Sequence, residues 1–280
     1  MTLAGDANPT PTGPVAVISD VHLAWRRRWR RRVNRLRPLW AGAAAVVFNG
    51  DTLDRTTSAR PERAREVLDH IRQCCAADGA EAVFVGGNSD FDAVEDDHAV
   101  LAGGAVLATH GHVLLPGICP WRSTAANLRR ARQQALEELP PDQRQTLAGQ
   151  LHAARMGLVR GMRPFDPRRR DLVLPVLRLW SFLHRPDRAL CILGVWRDTP
   201  ARAAEFLRRY CPRARVILIG HTHRPGVWQV GERWVINTGS VRSAWRPLVA
   251  RVEGRTVIVR RARARAGQLH PGATLAEITL

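Results

Sequence analysis

Seven side chains in this sequence are of the types that hold divalent cations, and each comes directly after a short apolar run. They are Asp20 and His22, Asp51, Asn88, His110, and the pair His221 and His223. Val46-Val47-Phe48-Asn49-Gly50-Asp51 shows the pattern most sharply, because a β-branched run ends abruptly at a glycine and a carboxylate. That reads as a buried strand delivering Asp51 into the crevice beyond its C-terminal edge. One carboxylate has two oxygens, so Asp51 can bridge two cations. Asp20 and His22, two apart at the end of Val15-Ala16-Val17-Ile18, can turn a hard oxygen and an imidazole nitrogen toward one ion. Asn88 offers a neutral carbonyl oxygen after Ala82-Val83-Phe84-Val85, and His110 closes the run Ala105-Val106-Leu107-Ala108. Gly220-His221-Thr222-His223 closes Arg215 to Ile219. A single histidine at a strand end is more often structural than a ligand, but five runs ending alike are not a coincidence. The set mixes oxygen and nitrogen donors in a way that suits two borderline divalent ions.

Positioning such residues takes strands that alternate with helices. Pro61 to Ala77 has proline at its first turn and Val67, Leu68 and Ile71 on one face, which predicts a helix. Strand, helix and strand alternate as far as His110, so a largely parallel α/β layer is expected. Further short strands are expected at Val227 to Val230, Trp234 to Ile236, Leu248 to Val252 and Thr256 to Val259, the last two joined through Glu253-Gly254-Arg255 as a hairpin. Between Pro116 and Arg213 the periodicity is helical, with proline breaks at 140–141, at 164–167 and near Pro186. The expected organisation is a flexible tail (1–14), a core (15–115 and 214–262), an inserted helical basic cap (116–213) and a loose C-terminal tail (263–280).

A chain of 280 residues allows one large domain, or a domain with an insertion. The net charge is +18, and all 43 basic residues are arginine, the better fork for phosphate oxygens. The stretch 116–213 holds 19 arginines against 8 acidic residues, so it carries +11 of that charge. Such a balance attracts nucleotides, nucleic acid and acidic lipid surfaces without choosing among them. Five cysteines with no CxxC spacing suggest neither a disulfide framework nor a zinc ribbon, and read as reduced thiols. The N-terminal stretch lacks the pattern of a signal peptide. No apolar run reaches the roughly 20 residues of a membrane span; the best, Leu172 to Leu183, contains Pro175 and Arg178. The expected location is cytoplasmic, with peripheral contact at the inner membrane surface left open. Trp25-Arg26-Arg27-Arg28-Trp29-Arg30-Arg31-Arg32 fits a solvated helix face and a lipid-headgroup contact equally well.

In order along the chain, Asp20-Val21-His22, Gly50-Asp51-Thr52-Leu53-Asp54, Gly87-Asn88-Ser89-Asp90, His110 and Gly220-His221-Thr222-His223 resemble the five motifs of the calcineurin-like metallophosphoesterase superfamily. Asn237-Thr238-Gly239-Ser240 is similar to the turn that follows the last motif in many members. The resemblance implies an α/β fold, a two-sheet sandwich flanked by helices with metals at the strand ends. It also implies one ion on Asp20, His22, Asp51 and His223 and another on Asp51, Asn88, His110 and His221, the metals being manganese, iron or zinc with manganese favoured. Asn88, His112 and Asp54 are the candidates for catalytic roles beyond ligation.

Ser89 departs from the pattern, since many members carry there a histidine that protonates the leaving oxygen. Without it a poor alkoxide leaving group should leave slowly, whereas a phosphate, whose last pKa is about 6, needs no such proton. His112 is a substitute donor or, somewhat more in keeping with its position, a supporting histidine behind the ligands. Asp90-Phe91 and the helical insertion resemble the UDP-2,3-diacylglucosamine pyrophosphatases. Thr109-His110-Gly111-His112 and the Asn237 turn are more similar to the small bacterial phosphodiesterases. The expectation is a two-metal phosphoesterase in which a metal-held hydroxide attacks a phosphodiester or pyrophosphate, on a nucleotide- or lipid-linked substrate. In the insertion, Trp121, Trp180 and Trp196 either receive acyl chains or form its own core. A nuclease with a basic phosphate track, and a scaffold without chemistry, are the competing readings. Nucleic acid is the less favoured partner, and the retention of all seven ligands argues against the scaffold.

Overall fold

The computed structural model describes residues 13–24, 28–121, 123–162, 186–242 and 246–280. Most of the N-terminal tail, Trp25, the 164–167 proline loop, the Leu172 to Leu183 run and Trp180 lie outside the described residues. Three parallel strands open the chain: β1 (Val15–Ile18), β2 (Ala45–Asn49) and β3 (Glu81–Val85). Between them run α1 (Trp29–Leu36), a 3-10 turn (Arg37–Trp40), α2 (Arg55–Ser58) and α3 (Pro61–Ala77). A second group follows: β4 (His98–Leu101), β5 (Val106–Thr109), β6 (Val216–Ile219), β7 (Gly226–Val230) and β8 (Arg233–Asn237). The chain ends in β9 (Leu248–Glu253), β10 (Thr256–Arg265) and β11 (Gln268–Thr279). These make a six-stranded sheet in the order β11-β10-β9-β1-β2-β3 and a five-stranded sheet in the order β4-β5-β6-β8-β7.

Strand periodicity explains why the sheets stack. Val15 and Val17 of β1, Val47 of β2, Val106 and Ala108 of β5 and Val216 and Leu218 of β6 all enter the layer between the sheets. Their neighbours Ala16, Ile18, Val46 and Phe48 point the other way, onto α1 and α3. Leu107, Ile217, Ile219 and Val235 do the same on the second sheet, against helices that follow β5. With both faces buried, strand residues read as continuous apolar runs, and burying each Val or Ile side chain contributes about 1.5–3 kcal/mol. The expected two-sheet sandwich flanked by helices is what forms.

The described residues between β5 and β6 are helical apart from turns: α4 (Ala125–Glu138), α5 (Pro141–Arg144), α6 (Leu147–Gly161) and α7 (Pro186–Tyr210). They do not stand apart as a separate cap. Leu151 and Ala154 of α6 and Ala203, Phe206 and Leu207 of α7 share one core with β5, β6 and β8. This part of the insertion is the outer layer of the second sheet, and its net charge hid that role in the sequence. Trp29 is core as well: it packs on α1's inner face with Val33 and Leu36, with its ring centroid 5.1 Å from that of His70 on α3.

The C-terminal tail expected to be loose is instead a hairpin. β10 and β11 pair from Thr256↔Thr279 to Arg265↔Gln268. Ala266 and Gly267, with φ 48° and 78°, make the two-residue turn whose twist suits paired strands. Arginines at the exposed positions of β10, together with Pro271 and Gly272, concealed the strands. Pro271 is tolerated because β11 is the sheet's edge and the register shifts nearby.

The two sheets are tied at the strand ends. Asn49, the last residue of β2, donates from Nδ2 to Thr109 O and to Leu218 O, both at 3.0 Å, and so ties the first sheet to two strands of the second. Asn49→Ala removes both of these bonds between the sheets, and should lower stability by about 1–3 kcal/mol. Urea unfolding with an unchanged slope measures this; a midpoint indistinguishable from wild type would show that the tie is idle.

Candidate metal centre

At the strand ends the backbone adopts a conformation that L-residues avoid. Asp20, His22, Asp51, His221 and His223 have φ of 52°, 48°, 50°, 63° and 55°. Each such residue costs of order 1–3 kcal/mol and persists only where its surroundings over-determine it. Here Asp20 N donates to Gly50 O (3.0 Å), His22 N to Asp51 O (2.8 Å) and His221 N to Asp20 Oδ2 (3.0 Å). Each left-handed turn swings a ligand-type side chain out of the pleat toward one point.

Three motif glycines leave room for them. A Cβ on Gly50 would overlap the His110 ring, one on Gly87 would overlap the Asp51 carboxylate, and one on Gly220 would overlap Asp20 and Ser19. Gly50 also has a left-handed φ of 84°.

Six of the ligand candidates meet side chain to side chain, and His221 lies beside them with its ring centroid 5.1 Å from that of His110. His223 Nε2 lies 3.0 Å and His22 Nε2 3.7 Å from Asp20 Oδ1, and the two imidazole nitrogens are 3.1 Å apart. His110 Nε2 lies 3.5 Å from Asp51 Oδ1, 3.3 Å from Asn88 Oδ1 and 4.0 Å from Asp20 Oδ1. Asp51 Oδ2 is 3.7 Å from His22 Nε2, so its two oxygens face opposite halves of the cluster. Two triads therefore present donors to a common point, Asp20 with His22 and His223, and Asp20 with Asp51 and His110.

Hydrogen bonds behind the cluster decide which atoms are free to ligate. His110 Nδ1 faces Asn49 O at 3.2 Å and His221 Nε2 faces Ile118 O at 2.8 Å. A carbonyl accepts only, so the proton sits on those nitrogens, leaving His110 Nε2 and His221 Nδ1 with exposed lone pairs. Ser89 donates from its backbone N (2.7 Å) and its Oγ (2.8 Å) to the two oxygens of Asp51. Asp90 accepts from Gly87 N (2.7 Å), Leu53 N (3.1 Å) and Asp51 N (3.2 Å), which fixes the loop under Asp51.

What remains is an excess of acceptors. Asp20 Oδ1 is buried, with His223 Nε2 at 3.0 Å as the nearest group able to donate to it. His110 Nε2 and Asn88 Oδ1 face one another at 3.3 Å, and His22 Nε2 and His223 Nε2 at 3.1 Å. Lone pairs meeting in this way, on oxygen and imidazole nitrogen together, fit divalent cations.

The electrostatics agree. Burial pushes the Asp20 and Asp51 carboxyls up, but the surrounding imidazoles, His110 foremost, outweigh it and hold both below the usual range. Burial drives His221 down to about 3 and lowers His22, which favours the neutral imidazole in both. His223 is the exception: burial lowers its pKa, but its bond to Asp20 and the charges of Asp20 and Asp51 raise it overall. Asp90 is raised to about 7 by burial and by Asp51.

The remaining catalytic candidates are elsewhere. Asp54 caps α2, accepting from Thr57 N, Thr57 Oγ1 and Thr56 Oγ1, and is not brought to the cluster. His112 is buried behind the ligands, its ring centroid 5.6 Å from that of His110 and 6.2 Å from that of His221, with its Nδ1 unpartnered. Burial and the neighbouring imidazoles push its pKa well down. A cavity of about 300 Å³ opens on the cluster, with His22, Asp51, Asn88, Ser89, His221 and His223 as its floor and Cys119, Trp121, Ile192 and Trp196 as its wall. Sequence reasoning missed Asn49 and the Ser89 clamp, because both act through hydrogen bonds between segments far apart in the chain.

The family model for calcineurin-like phosphoesterases matches residues 13–225. The chain belongs to the calcineurin-like phosphoesterase family and is a metal-dependent hydrolase of phosphate esters. No curated protein matches it. Among solved structures it is similar to a predicted phosphoesterase of Streptococcus pneumoniae TIGR4, at 18% identity and a TM-score of 0.43, covering 96% of this chain and 98% of that one. A dimetal phosphatase of Danio rerio aligns at 12% identity and 0.48, covering 96% and 99%. Vacuolar protein sorting 29 of Cryptosporidium parvum aligns at 14% and 0.44, covering 96% and 98%.

Gly220→Ala should abolish tight metal binding while Gly231→Ala, at a turn with open space, leaves it intact. Metal content after dialysis tests this, and a fully loaded Gly220→Ala protein would contradict the close packing. Metal affinity should fall as pH falls, because His223 must lose a proton that Asp20 helps it keep. Titrating manganese between about pH 5.5 and 8.5, on either side of the ordinary histidine value near 6.5, reads this linkage. A flat affinity across that range would exclude His223 as a ligand.

Proposed function

We propose that this enzyme cleaves a phosphodiester or pyrophosphate bond whose leaving group needs no proton, on a substrate with an apolar or flat organic portion. The supporting observation is Ser89. It stands where many relatives carry an acid, and its hydroxyl is already donated to Asp51. The substitute donor His112 lies behind the ligands and does not line the cavity. An alkoxide would have to leave unprotonated, whereas phosphate or an aryloxide leaves without help.

On this reading Asp20, His22, Asp51 and His223 hold one divalent ion, and Asp51, Asn88, His110 and His221 the other. Asp51 is suited to stand between them because it turns one oxygen toward His22 and the other toward His110. Manganese is the favoured metal. When bound, such ions polarise the phosphoryl group and lower the pKa of water. The chain's own part is to orient ligands through Asn49, Ile118 and Ser89, and to seat the substrate. Trp121, Ile192 and Trp196 give the cavity an apolar wall, which favours a nucleotide- or lipid-linked substrate over inorganic pyrophosphate. Trp196 is anchored by its Nε1 to Thr222 O at 3.1 Å, so the wall is held against the Gly-His-x-His turn.

A hydrolysis panel with manganese tests this: an aryl phosphodiester, an alkyl phosphomonoester, a UDP-linked acylated sugar and single-stranded DNA, each with wild type and Asp51→Asn. The expected result is Asp51-dependent cleavage of the aryl diester and the UDP-linked substrate. Turnover of the alkyl monoester at the aryl rate would refute the leaving-group argument, and cleavage of DNA alone would move the substrate to nucleic acid. Ser89→Ala should lower metal affinity or turnover by about 10–100-fold, since it frees the carboxylate that two donors now hold.

A further inference from the structure

Away from the metal centre, a second cavity of about 350 Å³ lies between α4 and α7. Its lining includes Arg129, Arg132, Arg202 and Arg209, with Glu205 as the one carboxylate. Glu205 is engaged by Arg208 at 2.7 and 2.8 Å and by Arg209 at 3.8 Å.

Arg132 makes the cavity more than a basic surface. Its guanidinium reaches inward and bonds only neutral acceptors: Val113 O at 2.8 Å, Leu115 O at 3.1 Å and Gln150 Oε1 at 3.2 Å. Among the described residues no carboxylate pairs with it. Burial pushes its pKa down to about 10, the mark of a cation lacking a counter-charge. A guanidinium held half out of water costs free energy unless something negative approaches it. Arg129 and Arg202, both exposed, also line an adjoining space of about 730 Å³ that runs past Pro120 and Asp198, whose carboxylate is engaged by Arg197 at 2.8 Å, so one groove joins the two.

We propose that this groove, centred on Arg129, Arg132 and Arg202, is a second anion site that takes a phosphate-bearing small molecule. Planar guanidinium forks match phosphate oxygens, and three of them suit a dianion. Leu114, Leu136 and Phe206 add apolar surface for an organic portion. The site stands independently of the substrate proposed for the metal centre, and it does not use the metals.

The test uses the full chain kept metal-free with chelator, as wild type and as Asp51→Asn, so that phosphate has no reason to bind the catalytic cluster. Calorimetric titration with inorganic phosphate and with ribose 5-phosphate, at fixed ionic strength, should show binding in both proteins. Arg129→Ala combined with Arg202→Ala should weaken it at least tenfold. Arg263→Ala combined with Arg265→Ala, an equal change of charge on the distant hairpin, should leave it unchanged. Tighter binding of the sugar phosphate supports an organic ligand, and equal binding supports the free anion. No binding to wild type, loss in Asp51→Asn, or equal weakening by the two arginine pairs overturns the proposal.

Discussion

The structure depends on holding many acceptor atoms together with few donors among them. Two carboxylates, an amide oxygen and four imidazoles converge in a buried place where water cannot screen them, and the burial of Asp20, Asp51, His110 and His221 is nearly complete. Left alone, such a cluster would spread apart or take up protons. The fold prevents both from outside the cluster. Left-handed backbone sets the directions, glycines without Cβ atoms allow the approach, and carbonyl acceptors fix the histidine tautomers. Stability and metal binding are thus joined, because the ions supply the charge that the protein withholds.

The cluster sits on the seam between the two sheets, and neither sheet contains it alone. Asp20 and Asp51 come from the first, His110, His221 and His223 from the second, and Asn88 from the loop after β3. Asn49 ties β2 to β5 and β6, and Ser19 Oγ meets Thr238 Oγ1 at 2.7 Å across the same seam. Ser89 belongs to this frame. Its short side chain turns back on Asp51, so that backbone and hydroxyl together hold the carboxylate.

Much of this was legible in the sequence. Apolar runs ending on Asp, Asn or His marked the strands and the side chains that gather at their ends, because a strand's C-terminal end and its side-chain chemistry are both local. Asp54 and the C-terminal hairpin misled for the opposite reason. Asp54 carries the motif's spacing, but its carboxylate is satisfied by Thr56 and Thr57 in its own turn. β10 and β11 look polar because one of their faces is solvated, and only pairing with β9 reveals the other. The insertion's arginine count likewise obscured the small apolar residues, Ala154, Ala203 and Leu207, with which α6 and α7 cover the second sheet.

The place of β1 has a consequence for the order of events in synthesis. β1 is an interior strand of the first sheet, lying between β2 and β9, so its partner on one side is made only near the end of the chain. The contact of Ser19 with Thr238 spans 219 residues. Until β9 emerges, β1 and β2 present apolar faces and an unpaired edge, and the first half of the cluster has no second half to meet. Long-range closure of this kind slows folding and exposes aggregation-prone edges. A nascent chain of this protein therefore keeps an open sheet edge through most of its translation, and its metal site is completed only when the second sheet has been made.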